Sequence, residues 1–195
     1  MLTLVWIAVI ATVGIAIALV IRQQKRLTHR QQPALVSLNR TVFTLQLGDI
    51  VQYDAADWVV EGCLTYNSGG YTWLEYLLQD GDRLRWLAVE EDDIVEVYWL
   101  EPYTDLEISG TPPRQLTVAG ITYKQTEAGT ARLSRQGRTL NRQAEVCHYF
   151  DYAGTADRVL CVEDWMGEIE VTIGQRIRPS MLRLLPGDGR RVYDT

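Results

Sequence analysis

The stretch Thr72–Trp99, TWLEYLLQDGDRLRWLAVEEDDIVEVYW, decides how the chain is read. Its aromatic and β-branched residues come in runs of strand length, and Asp, Gly and a block of acids punctuate them. Asp80-Gly81 is a preferred pair for a two-residue type I′ turn, which folds two strands together with Gln79 opposite Asp82. The next four acids, Glu90, Glu91, Asp92 and Asp93, read as a solvated turn into a third strand. Neighbouring acids point apart and no glycine lies among them, so the alternate-position carboxylates and tight bend of a calcium loop are missing. Two-carboxylate catalysis needs acids that converge in a cleft with one of them buried. An exposed turn predicts ordinary titration instead. A second reading stays open, in which these four residues attract a small cation or polyamine.

The same grammar extends in both directions. Short apolar runs bounded by Gly, Asp, Asn and Pro predict strands near residues 42–46, 49–53, 57–66, 71–79, 82–90 and 94–100. A second set follows the loop-like SGTPP, near 115–118, 121–126, 130–135, 143–152, 157–163 and 167–174. Further turns are expected around Ala55-Ala56 and Ala153–Ala156. After residue 40 the best helical candidate is PSMLRLLPG, short and flanked by two prolines. Short strands joined by tight turns predict an all-β antiparallel fold, a barrel or a sandwich. Asp82–Val97 also has an echo in DRVLCVEDWMGEIEV, Asp157–Val171. Asp-Arg, a strand ending in Val-Glu-acid, and a closing Glu-Val recur in both. One reading is a duplicated hairpin unit with halves of about 41–109 and 110–195; the other is chance likeness between two hairpins.

Those residues carry a resemblance. LGDIVQYDAADWVVEGCLTY, then YTWLEYLLQDGDRLRWLAVEED, then VLCVEDWMGEIEVTIGQRI resemble the bacterial domain-of-unknown-function family 4178 over about Leu45 to Ile177. The resemblance implies a β-rich domain without assigned chemistry, in a neighbourhood of membrane-stress and polyamine-synthesis-like proteins. It brings no catalytic residue to carry over.

Upstream the composition changes. Residues 2–21, LTLVWIAVIATVGIAIALVI, hold no charge and reach about 30 Å as a helix, the thickness of a bilayer core. No base precedes this run and no small-x-small cleavage site ends it, so it reads as a retained single-pass transmembrane helix, residues 1–21, and not as a signal peptide. Arg22, Lys25, Arg26 and Arg30 flank its C-terminal side, which predicts the inner cell membrane, an outside N-terminus and a cytoplasmic domain. Residues 22–40 form a polar, basic linker, and residues 41–195 form the β-rich domain.

Charge and cysteines limit the function classes. Residues 41–109 hold 2 bases and 15 acids, and residues 110–195 hold 12 bases and 10 acids. The first surface repels phosphate backbones, so no nucleic-acid partner is expected. Cys63, Cys147 and Cys161 show no CxxC spacing, which excludes a zinc ribbon and suits a reducing compartment. Cys147 and His148 face opposite sides of their strand; His148 falls opposite Cys161 only if Tyr152 pairs with Asp157, and no third ligand accompanies them. Trp58, Trp73, Trp86, Trp99 and Trp165 read as strand packing, with an aromatic groove for a peptide or cationic amine as the alternative. Arg114–Arg142, with six bases and one acid, reads as a solvated basic hairpin, or else as a surface for anionic lipid or another copy's acidic half. No P-loop, GxGxxG, HExxH or G-x-S-x-G is present. The expectation is a non-enzymatic, membrane-anchored interaction or scaffold module of a membrane-maintenance system. It contacts the bilayer through residues 2–21 and one or more protein partners through its domain, with no cofactor or metal. The alternative is a binding module for a small cation, polyamine or divalent metal on the acidic half.

Overall fold

Strand-forming residues fill nearly every segment between turns, and the chain forms eleven strands in one antiparallel sheet among the described residues. The structure, a computed structural model, describes residues 39–140, 142 and 144–189. The apolar segment 2–21 and its flank Arg22, Lys25, Arg26 and Arg30 lie outside them. Among the described residues no helix is long and apolar enough to cross a membrane.

The first five strands run as a meander: β1 (Ile50–Tyr53), β2 (Ala56–Ser68), β3 (Tyr71–Asp80), β4 (Arg83–Glu91) and β5 (Val95–Pro102). A second meander follows: β6 (Gln115–Val118), β7 (Ile121–Gly137), β8 (Val146–Ala153), β9 (Arg158–Trp165) and β10 (Glu168–Ile177). A 3-10 turn, Pro179–Met181, leads to β11 (Arg183–Leu185), which pairs with β1. The meanders close on each other twice. β5 pairs with β10, and the second half of β2 pairs with the second half of β7 from Gly62↔Gly137 to Asn67↔Arg132. The result is an eight-stranded barrel, β2-β3-β4-β5-β10-β9-β8-β7, with β1, β11 and β6 as appendages. Of the two architectures left open by sequence, the barrel forms, because β2 and β7 each change neighbour along one edge. β2 leaves β1 for β7 at the bulge between Val60 and Gly62. That extra residue resets the alternation, so Trp58 and Val60 join a cluster outside the wall while Leu64 and Tyr66 point inward.

Three apolar clusters follow from this geometry. Leu64, Leu77, Trp86, Leu100, Ala131 and Cys147 belong to the interior one. Outside, the 42–53 segment and β11 cover Val60, Leu78, Leu87 and Val89, and the 103–121 connection covers Tyr152, Leu160 and Val162. A wall buried on both faces needs apolar residues without alternation, and Trp86, Leu87, Ala88 and Val89 are buried in succession.

Several expectations are corrected. Residues 42–46 form turns, because Thr44 Oγ1 and Asp49 Oδ2 accept the amides of Thr41 and Gln46 locally. The strands expected at 121–126 and 130–135 are one strand, β7, held by β8 across a bulge after Gln125. PSMLRLLPG is a 3-10 turn and a strand. The hairpin turns are displaced: Asp80 pairs with Arg83 and Tyr53 with Ala56, so Gly81-Asp82 and Asp54-Ala55 are the loops. Gly81 leads its loop at φ 58°, where a side chain is disfavoured. Tyr152 pairs with Leu160, which puts His148 opposite Asp164 and Cys161 opposite Asp151.

The β5–β10 seam depends on one close approach. A Cβ on Gly174 lies 2.0 Å from the Trp99 carbonyl oxygen and 2.9 Å from Leu100 Cα, both main-chain atoms that cannot swing aside. Gly174→Ala is therefore expected to destabilise the fold by about 2 kcal/mol or more, read as a lower urea midpoint. A midpoint equal to the wild type contradicts this seam.

Candidate functional site in the barrel mouth

Inward-facing positions of β-strands are set by a two-residue period, and here many of them are acids. Two cross-strand pairs stand out: Glu90↔Glu96 on β4 and β5, and Glu163↔Glu170 on β9 and β10. Each has a third carboxylate nearby on the preceding strand. Glu75 of β3 pairs with Ala88, two residues before Glu90, and Asp151 of β8 pairs with Cys161, two residues before Glu163. Because the meanders run head to tail, the first pair sits at one end of the barrel, called upper here, and the second at the lower end.

The lower end is filled by the protein itself. Arg142, from the β7–β8 connection, is 1% exposed and places its guanidinium among three carboxylates. Its Nη1 lies 2.6 Å from Glu75, Nη2 lies 2.7 Å from Glu163, and Nε lies 2.7 Å from Glu170. Tyr66 accepts a bond from Nη1 at 3.1 Å and donates its hydroxyl to Glu163 at 2.8 Å. The guanidinium carbon stands 4.1 Å from the centre of the Trp86 ring. Bonds from Tyr66 on β2 to Glu163 on β9 cross the interior, since β7 and β8 separate those strands in the wall. Burial and the neighbouring Glu75 and Glu170 outweigh Arg142 and raise the Glu163 carboxyl, as expected where three acids share one cation.

The upper end is an open cup of about 500 Å³. Its acids are Glu90, Glu96, Glu127, Asp151 and Asp157, with Glu75 also in its lining; two bases, Arg158 and Arg176, line it as well, together with the rings of Tyr71, Trp73, Tyr98 and Tyr149. Trp73 meets Tyr149 edge-on at 5.2 Å and stacks on Tyr66 at 4.8 Å. Arg176 reaches Glu96 at 2.6 Å and Asp157 at 2.9 Å from the rim, and the bond from Tyr98 together with Arg176 lowers the Glu96 carboxyl. Among the described residues no ion pair reaches Glu90, Glu127 or Asp151. Burial pushes Asp151 up to about 7, and the charges of Glu75, Glu127 and Glu90 add to it against a bond from the Cys161 thiol. Glu90 is also raised, first by burial, with bonds from Tyr98 and Tyr71 opposing. The Cys161 thiol is held well above its ordinary range by burial and by Asp151, so it stays protonated.

The four acids of the expected turn thus separate. Glu91, Asp92 and Asp93 are exposed, whereas Glu90 ends inside the cup, half-buried and with a raised carboxyl. Ordinary titration is corrected for Glu90, because its strand extends through Glu91 before turning. Cys161 and His148 do not meet: His148 is exposed and bonds Thr130 at 2.8 Å. Asp151 and Arg142 were not legible as site residues, the latter because it ends a series of bases that reads as a solvated hairpin. Among the described residues no three His, Cys, Asp or Glu side chains converge as metal ligands.

The chain belongs to the family described as Domain of unknown function (DUF4178), which matches residues 46–179 and so takes in both meanders. It is 32% identical over 148 residues to uncharacterized proteins of Mycobacterium bovis (Mb2628) and Mycobacterium tuberculosis (Rv2597), covering 71% of this chain and 70% of each relative. No solved structure matches it.

Removing the lower guanidinium strands buried carboxylates. Arg142→Met is expected to cost about 3–5 kcal/mol in urea unfolding at pH 8, with Arg142→Lys recovering only part, since one ammonium cannot reproduce the fork. An Arg142→Met protein as stable as the wild type contradicts the network.

Proposed function

We propose that this domain is a binding module whose barrel mouth takes a small organic cation. The observation that carries the reading is the cup itself. Three carboxylates, Glu90, Glu127 and Asp151, share an aromatic-lined cavity and take part in no ion pair among the described residues; of the two bases in its lining, Arg176 pairs with Glu96 and Asp157 and Arg158 is exposed. Carboxylates drawn partly out of water without a counter-charge cost stability, and such groups cluster where a ligand supplies the missing charge. The cavity lies within the size range of small-molecule sites, and tyrosine and tryptophan faces attract cations at short range. The acids are spread around the walls, which favours an extended organic cation over a divalent metal. The cation-binding alternative from the sequence is therefore favoured, with its centre moved from the exposed turn to the cup. Anchoring in the inner membrane through residues 2–21 fits a module that samples the cytoplasm beside the bilayer.

The pH dependence follows from Asp151. Its folded carboxyl titrates at about 7, above the ordinary 3.8, so between those values the folded protein holds the extra proton. Stability from this group is then present at low pH and is lost as pH rises towards 7; cation binding, which needs the ionised form, runs the opposite way. Calorimetric titration of the purified protein with spermidine, butylammonium and Ca²⁺ is expected to show saturable amine binding that strengthens from pH 6 to pH 8. Asp151→Asn is expected to weaken it about tenfold and flatten the pH dependence. No saturable heat with either amine, or a response unchanged in Asp151→Asn, contradicts the reading.

A further inference from the structure

The barrel carries the same carboxylate arrangement twice: a buried guanidinium of the chain fills one copy, while in the other, among the described residues, only Glu96 meets a base, Arg176 at the rim. At the lower end the pair Glu163↔Glu170 of the second meander is completed by Glu75 of the first. At the upper end the pair Glu90↔Glu96 of the first meander is completed by Asp151 of the second, and all three line the cup. The ladders relate the two sets residue for residue. Glu75 opposes Ala88 and Asp151 opposes Cys161, each facing a position two residues before the β4 or β9 acid. The sequence echo aligns the same acids, with Val-Glu-Glu (89–91) over Val-Glu-Asp (162–164) and Glu96-Val97 over Glu170-Val171. Tyrosine hydroxyls support both sets: Tyr66 donates to Glu163 at 2.8 Å, Tyr98 to Glu96 at 2.8 Å, and Tyr71 to Glu90 at 3.3 Å.

From this correspondence we infer that the cation seated in the upper cup is a guanidinium on a short alkyl stem, held by Glu90 and Asp151 as Arg142 is held by Glu163 and Glu75. The inference rests on the cup being a cation site and names the group it takes. Arg176 does not already fill that place. Its side chain is 47% exposed, it bonds Glu96 and Asp157 at the rim, and β5 offers no matching base, since Pro102 faces Thr172 at the seam. A planar fork of donors can bridge two carboxylates on different strands and lie against a ring, which a single ammonium cannot do as well. Trp73, Tyr98 and Tyr149 supply ring faces there, as Trp86 does below. The acids of the lining outnumber its two bases, Arg158 and Arg176, so its net field repels a ligand carboxylate and free arginine is a poorer occupant than an alkylguanidine.

The test is calorimetric titration of the full chain at pH 8 and low salt with butylguanidinium, pentylammonium, free arginine and N-acetylarginine amide. Butylguanidinium is expected to bind about tenfold more tightly than pentylammonium, and free arginine more weakly than either. Glu90→Gln and Asp151→Asn are each expected to weaken butylguanidinium binding about tenfold, with thermal unfolding showing that both variants fold. N-acetylarginine amide binding as well as butylguanidinium extends the site to arginine side chains of polypeptides; much weaker binding assigns it to free alkylguanidines. Pentylammonium binding as tightly as butylguanidinium overturns the inference while leaving the cation cup standing. Guanidinium binding unchanged in both variants overturns it as well. Binding of neither cation removes both.

Discussion

Closure of the sheet along β2 and β7 is the constraint on which the rest depends. The pairing from Gly62↔Gly137 to Asn67↔Arg132 turns an open sheet with two edges into a wall with an inside. Once that inside exists, each inward-facing side chain must fill space or satisfy its polar atoms there. Leu64, Leu77, Trp86 and Leu100 do the first. Glu75, Glu163 and Glu170 do the second, through a guanidinium delivered by the β7–β8 connection.

The interior is electrostatically lopsided as a result. One buried arginine serves the lower acids, while above them Glu90, Glu127 and Asp151 face a space open to solvent. Glu75 belongs to both regions: it bonds Arg142 and lines the cup. The same residue thus joins the structural ion network to the proposed binding surface. Two acids in that cup, Glu90 and Asp151, have raised carboxyls whose first cause is burial, and Asp151, pushed up to about 7, gives the cup a charge that changes with pH near neutrality.

Much of the wall was legible from alternating and continuous apolar runs. Among the described residues ten of the eleven strands overlap runs read as strands, and Gly81 marked its hairpin. What escaped did so for physical reasons. Turn positions slipped by one residue because the ladder closes as far as the backbone permits, and Asp80 and Ala56 can still pair. β11 escaped because its three residues lie between Pro179 and Pro186 and gain their partner only from β1, far away in sequence. The cup was half visible. Glu90 was singled out as part of an acidic block, but which of four consecutive acids turns inward depends on where β4 ends. Asp151 gave no signal, since an isolated acid in an aromatic strand looks like a surface residue until the barrel closes over it. Arg142 was hidden in the same way, as the last of a series of bases read as a solvated hairpin.

The proposed cation would meet negative charge in the barrel mouth that is unpaired among the described residues, at Glu90, Glu127 and Asp151. Carbon-detected NMR titration of the Asp151 carboxyl tests it most directly, in the free protein and with saturating butylguanidinium. The account predicts a free carboxyl titrating at about 7 that moves to markedly lower pH once the cation is bound. An Asp151 that titrates near 3.8 in the free protein, or one that the cation leaves unmoved, contradicts it.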